Sequence, residues 1–130
     1  MKEQFVPYDI ALKLKELDFD EPCLAMFSRV GELFSLDCAD YDSLKGCNNS
    51  DLNYYYPVSA PLFQQAFEWL RKKHNLVHNI DTLHTGNEMT WAIWINRIGG
   101  ESTIWNMEFA GEYFTANQKC LEKLIEIVNE

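Results

Sequence analysis

Residues 89–109, MTWAIWINRIGGESTIWNMEF, decide the fold class of this chain. From Met89 to Ile98 the run is rich in β-branched and aromatic residues. It alternates, with Trp91, Ile93 and Ile95 on one face and Ala92, Trp94 and Asn96 on the other. Gly99-Gly100 is tight-hairpin chemistry. Beyond it Thr103, Trp105, Met107 and Phe109 line one side of a further strand, against Ser102, Ile104, Asn106 and Glu108 on the other, the pattern of a half-buried strand. Upstream, Val77 to Leu83 reads as a third strand, joined through turn chemistry at His84 to Asn87.

Helices flank these strands. Ser59-Ala60-Pro61 opens the clearest one, with Ser59 as expected N-cap, Pro61 in the first turn, and Leu62, Phe63, Ala66, Phe67 and Leu70 on one apolar stripe. Glu68 and Lys72 form an i,i+4 pair, and the helix is expected to fray near Lys73-His74-Asn75. Thr115 to Gln118 has the form of a capping box ahead of a stripe of Ala116, Cys120, Leu121, Leu124, Ile127 and Val128. In the N-terminal part, Ile10, Ala11, Leu14 and Leu17 predict a helix over residues 7–17. Cys23 to Ser28 reads as a central strand, apolar on both faces, with Glu32 to Leu36 as its hairpin partner across Gly31. Residues 37–57 have no sustained apolar period and form a long loop ending in Tyr54-Tyr55-Tyr56. The order α-β-β-loop-α-β-β-β-α lacks the βα alternation of a parallel sheet. The expected fold is α+β, a two-layer sandwich of a mostly antiparallel sheet of about five strands with helices on one face, in a single domain over residues 1–130.

Composition bounds the function. The 130 residues include 11 Lys plus Arg and 20 Asp plus Glu, a net charge of −9 that repels phosphate backbones and anionic membranes. Apolar types make up 47%, enough for a core. No apolar run reaches membrane-spanning length, and the first residues lack the apolar stretch of a signal peptide, so a cytoplasmic protein is expected. Cys23, Cys38, Cys47 and Cys120 show no CxxC spacing and are expected as reduced thiols. Asn48-Asn49-Ser50 fits a glycosylation sequon, which has no meaning without secretion.

Three segments together, FVPYDIALKLKELDFDEPCLA at 5–25, SAPLFQQAFEWLRKKHNL at 59–76 and CLEKLIEIV at 120–128, carry a resemblance. The chain resembles a family of small uncharacterised proteins from Bacteroides-type gut bacteria, their prophages and phages. The resemblance weakens over residues 37–57 and the late hairpin. The last helix also departs from the family's acidic opening by having Ala116-Asn117-Gln118. It implies a phage or mobile-element context and carries no catalytic residue.

Candidate chemistry is sparse. Cys23 and Cys120 sit in apolar patterns and read as core, leaving Cys38 and Cys47 as the cysteines of a rival small-enzyme reading. His74 and His78 stand four apart, but the helix ends near His74, so no metal site and no cofactor is expected. The acidic groups Asp18, Asp20, Glu21 and Asp37, Asp40, Asp42 lack calcium-loop spacing and read as solvated turns. No phosphate loop, GxSxG elbow or HExxH motif occurs. Residues 59–129 share the α-β-β-β-α order of a double-stranded-RNA-binding domain but lack basic residues at the start of the last helix, so RNA binding is not expected. The remaining reading is a non-enzymatic accessory protein acting through protein contacts. Its expected contact residues are Asp40, Tyr41, Tyr54, Tyr55 and Tyr56, with Trp94 on the outer side of the sheet or beneath a helix. Tyr54 to Tyr56 have the alternative of packing the loop onto the sheet. Monomer and homodimer both stay open.

Overall fold

The structure, a computed structural model, describes residues 2–35, 48–52, 54–100 and 102–130. It is α+β, with three α-helices and two antiparallel three-stranded sheets. Two compact units, residues 1–63 and 64–130, divide the chain.

The N-terminal unit contains α1 (Tyr8–Glu16), β1 (Ala25–Phe27), β2 (Leu33–Ser35) and β3 (Val58–Ala60). Ile10, Ala11 and Leu14 are the buried stripe of α1. The helix stops at Asp18, whose φ of 67° is the left-handed conformation that Asp tolerates better than most residues. Phe19 then donates its N–H back to the Leu14 carbonyl and buries its ring. As the apolar pattern of Cys23 to Ser28 requires, β1 is the central strand, in the order β2-β1-β3.

Two expectations are corrected here. The single sheet of about five strands is replaced by two sheets of three, because β3 is a strand that the sequence pattern hides. Its three residues are all buried, and Ser59 pairs with Met26 in the sheet instead of capping a helix. Pairing continues past β3. Phe5 bridges to Leu62, and the Val6 N–H donates to the Pro61 carbonyl at 2.9 Å. This postpones the helix to Phe63.

The C-terminal unit holds α2 (Phe63–His74, its first residue falling in the other unit), β4 (Leu76–Thr85), β5 (Glu88–Arg97), β6 (Thr103–Phe109) and α3 (Tyr113–Val128). Asn75, at φ 58°, ends α2 and turns the chain directly into β4. A two-residue turn at Gly86-Asn87 joins β4 to β5, with Gly86 at φ +66° supplying the positive φ such hairpins need. Register follows from Ile80↔Ile93↔Met107 and Asn79↔Trp94↔Asn106, with an irregularity at Ile95/Asn96. One face therefore carries His78, Ile80, Ile93, Ile95, Trp105, Met107 and Phe109, and the other carries Asn79, Asp81, Ala92, Trp94, Asn106 and Glu108.

Both helices meet the first face. The Phe67 ring of α2 stacks on His78, and from α3 the ammonium groups of Lys119 and Lys123 lie over Phe109 and Trp105. Ile93 and Ile95 beneath them are fully buried, as are Leu121 and Leu124. The expected capping box does not form. Helix α3 begins at Tyr113, and the Ala116 N–H donates to Glu112. Aromatic contacts of Trp91 set that start: its Nε1 donates to the Gly111 carbonyl at 2.9 Å and its ring meets Tyr113 at 5.0 Å.

In the N-terminal unit, Asn49 ties the segment before β3 to the core. Its Nδ2 donates to the Phe19 carbonyl at 2.7 Å, and its Oδ1 accepts from the Ser59 N–H at 2.9 Å. Asn49→Ala removes both bonds and leaves a strand N–H at a buried residue without a partner, so it should cost about 1–3 kcal/mol in chemical denaturation. An unchanged midpoint would show that the segment is held by something else.

Candidate functional site

A tight turn in the N-terminal unit organises the tyrosines. Between β1 and β2, the Ser28 N–H donates to the Glu32 carbonyl and the Gly31 N–H to the Ser28 carbonyl, while Ser28 Oγ accepts from Val30 and Glu32. Gly31 has φ +84°, and a Cβ there would stand 3.0 Å from the Tyr8 ring, so the position admits only glycine without distortion. Tyr8 in turn meets Phe27 edge-on at 5.4 Å, and its hydroxyl reaches the Arg29 carbonyl at 3.4 Å. Thus α1 fixes the turn, and the turn presents Arg29.

The Arg29 guanidinium lies 4.0 Å from the centroid of the Tyr54 ring and also donates to the Tyr54 hydroxyl. Tyr55 meets Tyr54 edge-on at 5.7 Å, and Tyr56 packs against Phe34 at 5.3 Å. The three tyrosines therefore divide. Tyr56 is half-buried and holds its segment to β2, whereas Tyr54 and Tyr55 are 66% and 72% exposed. Phe34 and Val30 extend the exposed apolar surface. Asp40 and Tyr41 lie outside the described residues, as do Cys38 and Cys47.

The segment just before the tyrosines is pinned by Asp20, whose carboxylate accepts from the Ser50 N–H at 2.6 Å and from Asn48 Nδ2 at 3.3 Å. These bonds, the one from the Ser50 N–H foremost, hold Asp20 below the usual carboxylate range. The carboxylate of Asp20 thus works as an anchor. Asn48 also donates to Ser50 Oγ.

In the C-terminal unit Trp94 sits half-buried on the sheet face opposite the helices. Within this unit neither α2 nor α3 covers it, since both meet the other face. The histidines are separated. His74 ends α2 with its ring against Trp69 at 5.1 Å, while His78 lies on β4 against Phe67 at 3.8 Å. Among the described residues no group of three or more His, Cys, Asp or Glu side chains is placed to hold a metal ion.

His78 borders a groove of about 300 Å³ with Gln64, Glu68 and Arg71. Glu68 is engaged by Lys72 at 2.9 Å and Arg71 at 3.7 Å, exposed pairs that contribute little to stability. Burial, with repulsion from Arg71 second, pushes His78 down to about 4. The groove thus holds a neutral imidazole and an ion-paired carboxylate. Cys120 lies fully buried on α3, and burial pushes its thiol up to about 12. Cys23 is buried as well and donates to the Glu21 carbonyl.

Of the contact residues expected from the sequence, Tyr54 and Tyr55 are exposed and Trp94 is half-buried, while Arg29 and Phe34, which decide how the tyrosines are displayed, are not among them. The signal within reach was Ser28 and Gly31, the turn residues that flank Arg29. Comparison of the chain with protein-family models, with curated proteins and with solved structures finds no match.

Two outcomes follow from these environments. The unfolded chain protonates His78 near 6.5 and the fold only near 4, so its contribution is complete above pH 6.5 and is lost as pH falls toward 4. That loss amounts to at most about 3 kcal/mol. NMR should give His78 a midpoint near 4, and His78→Phe should flatten stability across that window; a midpoint at 6.5 or above contradicts the packing described. Cys23 and Cys120 should resist a thiol reagent at neutral pH until the chain unfolds, and rapid labelling of either in the native protein would show that it is not core.

Proposed function

We propose that this chain is a non-enzymatic, cytoplasmic accessory protein of phage or mobile-element context that acts by contact with another protein through the aromatic surface of its N-terminal unit. The observation that supports this reading is the pair Tyr54 and Tyr55, exposed yet held in place by Arg29 and by each other. Large rings that are already ordered lose less conformational entropy on binding than free side chains do. Tyrosine also joins apolar area to a polar tip, which is why it is enriched at protein interfaces.

Charge narrows the partner. Residues 1–63 contain eleven carboxylate and five basic side chains, a net −6. A partner surface bearing arginine and lysine complements this and gains cation–π contact with the rings, whereas phosphate backbones are repelled. Among the described residues no helix is long and apolar enough to cross a membrane. The family resemblance supports the phage or mobile-element setting.

The test compares the intact chain with Tyr54→Ser/Tyr55→Ser in affinity capture from lysate at low and moderate salt. Both positions are exposed, so the double variant should keep its folding stability to within about 0.5 kcal/mol. The expected result is a partner captured by the intact chain, more strongly at low salt, and weakened about tenfold or more in the variant. Equal capture by both proteins, or none specific to the intact chain, contradicts the proposal.

A further inference from the structure

The outer face of the C-terminal sheet has a charge pattern that neither its packing nor the tyrosine surface uses. Register places Asp81 on β4, Glu88, Ala92 and Trp94 on β5, and Asn106 and Glu108 on β6 on this face, with no lysine or arginine among the strand residues that share it. A depression of about 340 Å³ opens there, lined by Ala92, Trp94, Asn106 and Glu108 of this face and bordered by Met107 of the edge strand, whose register assigns it to the other face. Ala92 pairs directly with Glu108 on one side and Asp81 on the other, and its small side chain is buried as the floor. Strands lie about 4.8 Å apart, so the two carboxylates flank that floor from backbones about 10 Å apart. Trp94, two residues along the strand, closes the depression at one end.

The opposite face shows what is missing. There Trp105 and Phe109 each have a lysine ammonium above the ring, from Lys123 at 5.7 Å and Lys119 at 5.6 Å. In the N-terminal unit Tyr54 has Arg29. Among the described residues the Trp94 indole has no such cation and no hydrogen bond, and the side chains of Asn106 and Glu108 have no partner. Asp81 is steadied by Asn79, which donates to it at 3.1 Å. The Trp94 indole, the Glu108 carboxylate and the Asn106 amide thus line one depression, with the Asp81 carboxylate across Ala92 from Glu108 and no lysine or arginine paired with them among the described residues.

We infer that this depression is a receptor site for an arginine side chain of a partner polypeptide, its guanidinium set against the Trp94 ring and paired with Glu108, with Asp81 adding to the field. A guanidinium matches the set better than an ammonium, because its planar fork serves a carboxylate and an amide oxygen together while its face stacks on the indole. The site lies wholly within the C-terminal unit and shares no residue with the tyrosine surface, so either one survives the failure of the other.

The test is an NMR titration of the intact, isotope-labelled chain, following the Trp94 indole N–H assigned through Trp94→Phe. The probe is the blocked peptide acetyl-Gly-Arg-Gly-amide. Controls are the same peptide with citrulline, which keeps the shape and removes the charge, the same peptide with lysine, and cellobiose. A saturable shift is expected with the arginine peptide, weaker with lysine, absent with citrulline, and reduced at higher salt. Glu108→Gln and Asp81→Asn, both at exposed positions, should each weaken binding about two- to fivefold with the fold intact. Equal shifts from citrulline and arginine, an unchanged affinity in Glu108→Gln, or no shift with any cation overturns the inference. A shift with cellobiose alone replaces it with a saccharide platform.

Discussion

Register in β5 is the constraint on which the C-terminal unit depends. Ile93 and Ile95 face the helices and are fully buried, while Ala92 and Trp94 face away. A slip of one residue would exchange these sets, sending the isoleucines to the open face and Asn96 into the core. The Gly86-Asn87 turn fixes the register on one side, and the Trp91 bond to Gly111 ties the β6–α3 connection on the other. Helix α3 inherits its position from this arrangement: its first turn lies against Trp91, and Lys119 and Lys123 extend over the rings of β6. Everything the outer face presents, including the Trp94 depression, is a consequence of the same parity.

A comparable dependence runs through the N-terminal unit at smaller scale. The clearance between Gly31 and the Tyr8 ring sets the β1–β2 turn, the turn sets Arg29, and Arg29 holds Tyr54. Two surfaces of the chain thus have aromatic groups whose display is specified by buried neighbours. They differ in electrostatics: Tyr54 already has a cation over its ring, whereas Trp94 borders a depression shared with Glu108 and, among the described residues, has no cation over its ring.

Much of this was legible in the sequence wherever burial left a period. The alternation of Trp91 to Asn96 and the stripe from Leu62 to Leu70 predict elements that the structure contains, and the doubly apolar run at Cys23 to Ser28 predicts the central strand, which forms over Ala25–Phe27. What escaped has a common cause. Strand β3 is three residues long and buried on both faces, so it has no period, and Ser59 imitates a helix cap while lying inside a sheet. The capping box at Thr115 failed because Trp91, more than twenty residues away, begins the helix three residues early, with Glu112 in the cap position. Likewise, three consecutive tyrosines look alike in sequence, and only partners distant along the chain, Arg29 and Phe34, make Tyr56 an anchor and leave Tyr54 and Tyr55 exposed. Asp40 and Tyr41 fall outside the described residues.

The central claim is that these aromatic side chains are displayed to solvent by a dry interior and do not belong to it. Solvent paramagnetic relaxation with a neutral, freely diffusing agent tests it directly on the unmodified protein. The account predicts strong relaxation at the Tyr54 and Tyr55 rings, intermediate values at Trp94 and Tyr56, and protection at Ile93, Ile95 and Leu121. Protection of Tyr54 and Tyr55 equal to that of Ile93 would place them in the core and contradict it.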